Sequence, residues 1–133
     1  MTKKKMLLIC IVCIVVLPAI LLKLYAHYSA NTYIPEKPPA ITAGSLKSLS
    51  LSLIQSQEDF NGSINIETQI PDHNKAQITF VNNYSGGDSV GTTEYKMIAE
   101  KKGQLWTITE SKTHWKCPRD LFFNSFWTTS ACP

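Results

Sequence analysis

The chain has 133 residues, enough for one small domain and a short appendage. Hydrophobic residues make up 44% of it, but many of these sit in one N-terminal run, so the remainder supplies only a modest core. Of the 13 basic residues, Lys3, Lys4, Lys5 and Lys23 flank that run, which leaves nine against 10 acidic ones. That balance argues against a nucleic-acid partner, which calls for a basic face on the folded domain.

Residues 1–5 read as a short cytoplasmic tail. The apolar run at 6–22, then Lys23 and "LYA", make an expected transmembrane anchor over 6–26. At 1.5 Å per residue the run spans roughly 25 Å, near the lower limit for a bilayer core. Lys23 can snorkel, and Tyr25, Tyr28 and Tyr33 fit an interfacial aromatic belt. The lysines before the run predict a single-pass protein of the inner membrane with its N-terminus in the cytoplasm. Its C-terminal domain would then be periplasmic or extracellular. A cleaved signal peptide is the competing reading, although the residues three places before Ala26 and Ala30 are bulky for a cleavage site. Cys10 and Cys13 have C-x-x-C spacing, but inside an apolar helix they read as small fillers. Pro18 bends such a helix tolerably.

Residues 27–44 read as a linker, since Pro35, Pro38 and Pro39 favour extended backbone. The domain proper is expected over 45–133. In "SLKSLSLSLIQSQEDF" (45–60), Leu46, Leu49, Leu53 and Phe60 lie near one helical face, whereas Leu49, Leu51 and Leu53 also alternate as in a strand. Helix is favoured, with Asn61-Gly62 as its cap or as a hairpin turn. "SINIETQI", "AQITFVNN", "GTTEYKMIAEK" and "QLWTITESKTHW" alternate apolar and polar residues as strands do. Turn-rich stretches at 71–74, 85–88 and 101–104 separate them. The expected fold class is α+β. It consists of an N-terminal transmembrane helix, an antiparallel meander of about four strands, one covering segment and a C-terminal disulfide-closed loop.

Cys117 and Cys132 are the cysteines expected on the oxidising side, so they pair if the bond is intramolecular. A loop of about 15 residues gives roughly 3 kcal/mol in the chain-entropy model. The loop carries Leu121, Phe122, Phe123, Phe126 and Trp127. It can cover the sheet, or it can present Phe122, Phe123, Phe126 and Trp127 to a partner protein.

Catalytic, metal and cofactor sites are not expected. His27 abuts the apolar run and His73 sits in a turn. His114 lies near Cys117, whose disulfide partner removes the thiolate. A zinc set from His73, His114, Cys117 and Cys132 lacks the usual paired spacing. "SGGDSVG" reads as a hairpin turn rather than a phosphate loop. Asn61-Gly62-Ser63 and Asn83-Tyr84-Ser85 match the glycosylation acceptor pattern.

Trp115-Lys116-Cys117 and Ala131-Cys132-Pro133, with Pro18 and the Tyr25/Tyr28 spacing, give a chain that resembles type IV pilins and pilin-like proteins. That resemblance implies a hydrophobic N-terminal helix, a four-stranded antiparallel meander and a C-terminal disulfide loop. Over 64–117, "GTTEYKM" and "GQLWTITESKTHWKC" are similar to the sheet of cone-shaped domains related to nuclear transport factor. This second resemblance implies a binding or scaffold module as often as an enzyme. The expected function is non-enzymatic: an anchored extracytoplasmic protein acting through protein–protein interaction in a cell-envelope assembly. The alternatives are an anchored immunity-type binder of an envelope-targeting toxin, or a pilin-like subunit.

Overall fold

A computed structural model describes residues 3–56, 62–84, 90–118 and 126–132. The chain divides into two compact units, Met1–Asn31 and Thr32–Pro133. The first is a single helix, α1 (Lys3–Asn31). At its C-terminal end the Ser29 hydroxyl donates to the Ala26 carbonyl and the Asn31 amide to the His27 carbonyl, so side chains satisfy carbonyls of the last turns. The expected transmembrane helix is not supported. Among the described residues, no helix is long and apolar enough to cross a membrane. The physical reason is length: the run at 6–22 reaches roughly 25 Å against the ~30 Å of a hydrocarbon core, and Lys23 interrupts it within the same helix.

The second unit contains β1 (Ile34–Glu36), β2 (Thr42–Ala43), α2 (Leu46–Gln55), β3 (Gly62–Asp72), β4 (Lys75–Tyr84), β5 (Thr92–Lys102) and β6 (Leu105–Lys116). The six strands form one antiparallel sheet in the order β1-β6-β5-β4-β3, with β2 also on β6. The sheet therefore has six strands where the sequence suggested about four. Its two additional strands come from the proline-rich stretch, whose extended backbone pairs Ile34–Glu36 and Thr42–Ala43 with β6 instead of serving purely as a spacer. Pro35 is tolerated there because a strand at the sheet edge has a free side for a residue without an N–H.

Turn chemistry sets the registers. Lys102 pairs with Leu105 across Gly103-Gln104, and Gly103 has φ +63° while no non-glycine residue among those described has positive φ. This is the type II′ arrangement, with glycine first, that matches strand twist. The 72–75 turn has no such residue, and the β3/β4 register shifts between Gln69 and Asp72, where Ile70 and Pro71 sit.

The 45–60 ambiguity resolves to helix over Leu46–Gln55. The Ser45 hydroxyl accepts from the Ser48 N–H at 3.1 Å and so caps the N-terminus. The C-cap is Ser56, whereas Gly62 opens β3. Leu49 and Leu53, one turn apart, are the buried residues of α2. They pack on Ala76, Ile78 and Phe80 of β4, Met97 and Ala99 of β5, and Trp106 and Ile108 of β6. The core lies on this α2 face of the sheet, where α2 covers it, while residues 119–125 of the disulfide loop lie outside the described residues. Phe80 is among the largest fully buried side chains and meets Tyr95 edge-on. Phe80→Ala is expected to destabilise the Thr32–Pro133 unit by about 3–5 kcal/mol, read as a lower urea midpoint at unchanged slope.

Candidate functional site

The site arises from a fault in the alternation of β6. Trp106 and Ile108 face the core. Strict alternation would drive Glu110, Lys112 and His114 in after them. The β5/β6 register shifts instead: Ala99 pairs with Ile108 and Ile98 with Glu110, so Thr109 is the extra residue of a bulge. Beyond it Ser111 and Thr113 are buried on the core side, while Lys112 and His114 turn to the opposite face. Directly paired residues share a face, so Lys96 lies beside Lys112, Glu94 beside His114 and Thr92 beside Lys116.

His114 is fully buried although it lies on the face away from α2. Two segments beside β6 cover it. From the N-terminal side, Tyr33 precedes β1 and stacks on the imidazole with centroids 3.9 Å apart and planes at 21°. From the C-terminal side, Trp127 stacks at 4.1 Å and 9°. The Trp127 segment is pinned by paired backbone bonds between Trp115 and Thr128, by the Trp115 indole donating to the Ser130 carbonyl, and by the Cys117–Cys132 disulfide.

Polar contacts order the centre of this stack. The His114 Nδ1–H donates to the Thr32 carbonyl at 3.0 Å. Nε2 lies 3.5 Å from Glu94 Oε1 without forming a hydrogen bond. The same carboxylate oxygen accepts the Tyr33 hydroxyl at 2.6 Å and faces the Lys96 ammonium at 3.7 Å. Burial, the hydrogen bond donated to Glu94 and the Glu94 charge push the Tyr33 phenol well above its ordinary range, so it stays a donor. Burial lowers the affinity of His114 for a proton, outweighing the Thr32 carbonyl and Glu94, which favour the cation; Lys96 opposes it too. The three lysines sit over aromatic faces: Lys96 at 4.8 Å and Lys112 at 5.0 Å from the Tyr33 centroid, and Lys116 at 4.6 Å from Trp127.

The expected site residues fare differently. The Cys117–Cys132 disulfide is present, with Cys117 buried. Trp127 and Phe126 are half-buried, and Trp127 covers His114 on the outer face. Phe122 and Phe123 lie outside the described residues. Among the described residues, no cluster of three or more His, Cys, Asp or Glu could hold a metal. The sequence pattern gave no sign of Glu94, Lys96 and Lys112, and it placed Tyr33 in an interfacial aromatic belt instead of this site. The signal that could have found them is the polar run Glu110-Ser111-Lys112 following the core residues Trp106 and Ile108, because such a run cannot remain on a core face. No family model, curated protein or solved structure matches the chain.

The lowered proton affinity of His114 sets a sign for pH. The folded state binds this proton less readily than the unfolded chain, whose ordinary value is 6.5. The stabilising contribution is therefore present above that value and is lost as pH falls through the lower folded value. Denaturant midpoints are expected to drop as pH falls below 6.5. His114→Gln should flatten that drop. Reduction of Cys117–Cys132 at constant pH should cost about 3 kcal/mol, seen as a lower melting temperature.

Proposed function

We propose that the Thr32–Pro133 unit is a protein-binding domain that works outside the cytoplasm, in a cell-envelope assembly. The Cys117–Cys132 disulfide supports that compartment, because such bonds persist where thiols oxidise. The binding role rests on one observation. Trp127, the type of residue most enriched at interface hot spots, is half-exposed, stacked on a buried imidazole and held by a stapled segment. A large ring that is already immobile loses little conformational entropy on binding. The neighbouring Phe126 and the Lys116 ammonium over the ring complete an apolar patch with a charged rim.

The test places a photo-reactive phenylalanine analogue at Phe126 of the full chain. Irradiation of the envelope fraction should yield one discrete protein adduct. Trp127→Ala, with the disulfide intact and a cooperative melt, should reduce that adduct about tenfold or more. Trp127→Phe, which keeps a ring on His114, should restore much of it. An adduct unchanged by Trp127→Ala, or diffuse labelling of many proteins, would overturn the reading.

A further inference from the structure

The lysines of the outer face are not equally supplied with counter-charge. Lys96 faces Glu94 at 3.7 Å. Among the described residues, Lys112 and Lys116 have aromatic faces, Tyr33 and Trp127, as partners, and no carboxylate lies within ion-pair range of either. Lys112 is also the direct cross-strand neighbour of Lys96, a like-charge pairing that costs stability. The two rings hold both ammonium groups close to the clamp, with Lys112 itself exposed. An anion placed there would offset the repulsion and meet lysine heads already oriented.

Spacing defines the anion. Lys112 and Lys116 are four residues apart on one face of β6, about 13 Å at ~3.3 Å per residue. A second extended chain has the same repeat, so acidic side chains at its positions i and i+4 meet the two lysines. The residue at i+2 then falls over the ring stack between them. Beside Lys112 and Lys96 a concavity of about 630 Å³ continues the face, walled by Pro35, Pro38, Gln77, Ile98 and Thr109. Glu36 and Glu110 give its lining negative charge that counters the two lysines. The positive region is therefore short and bounded, whereas a membrane surface or a nucleic-acid backbone needs an extended basic face.

We propose that Lys112 and Lys116 receive two carboxylates, spaced i and i+4, from an extended acidic segment of a partner protein whose intervening apolar side chain rests on the Tyr33–His114–Trp127 stack. This deepens the protein-binding reading and rests on it.

The test uses the full chain with its disulfide intact and the synthetic peptide Ser-Glu-Thr-Tyr-Thr-Glu-Ser. Amide shifts at Lys112, His114 and Lys116 are followed by nuclear magnetic resonance. Saturable shifts at these residues are expected, and replacing both peptide Glu by Gln should weaken them about tenfold. Lys112→Gln and Lys116→Gln should each weaken binding about threefold, with melting temperatures unchanged, since both side chains reach the surface. Equal binding of the Gln peptide, or lysine variants that bind like the parent, would overturn the proposal. So would phosphatidylglycerol vesicles or single-stranded DNA that bind more tightly than the peptide through the same lysines, because the face would then be a phosphate site. If the peptide fails while Trp127→Ala still abolishes the Phe126 adduct, the acidic-segment inference alone falls. If that adduct persists in Trp127→Ala, the protein-binding reading itself falls.

Discussion

β6 is paired along both edges, and this constraint organises the rest of the domain. β5 occupies one edge over nearly its whole length. Along the other lie β2 at Trp106 and Thr107, β1 from Ser111 to Thr113, and the Trp115–Thr128 bridge. Segments before and after the sheet thus come together on one strand. A central strand leaves few backbone groups unpaired, and the short pieces that satisfy it are themselves fixed. That is how Tyr33 and Trp127, far apart in the chain, come to lie on opposite faces of one imidazole.

The bulge at Thr109 divides the labour between the two faces. Before it, β6 contributes Trp106 and Ile108 to the core under α2. After it, the same strand sends charged and aromatic-clamped residues outward. One extra residue exchanges the faces of every side chain that follows, because the side-chain period of a strand is two. Without it, Lys112 and His114 would be driven toward Phe80 and Met97, at the cost of desolvating a charge without a partner. Building the outer site and preserving the core are therefore one structural event.

The outer site gathers rigid aromatic surface from Tyr33 and Trp127, a buried titratable ring and unequally neutralised lysines over β5 and β6. Glu94 is its hub, since it accepts from Tyr33 and faces both Lys96 and His114. The disulfide secures the segment that brings Trp127 to the stack. Such an arrangement holds its groups in order in advance, which is what the proposed binding role requires.

The sequence by itself determined the local elements. Alternation in 63–70, 76–83, 91–101 and 104–115 marked β3 to β6, the leucine spacing in 45–60 favoured α2, and the count of cysteines marked the disulfide. These are legible because pleat, helix period and turn chemistry act over a few residues. The apolar run at 6–22 suggested a membrane span by composition, whereas among the described residues no helix is long and apolar enough to cross a membrane. Only the tertiary structure decided that part of the proline-rich stretch joins the sheet, that β6 bulges at Thr109, and that Tyr33, Glu94, His114 and Trp127 meet. Those outcomes depend on pairing between residues as far apart as Tyr33 and Glu94, and no local pattern encodes a partner at that distance.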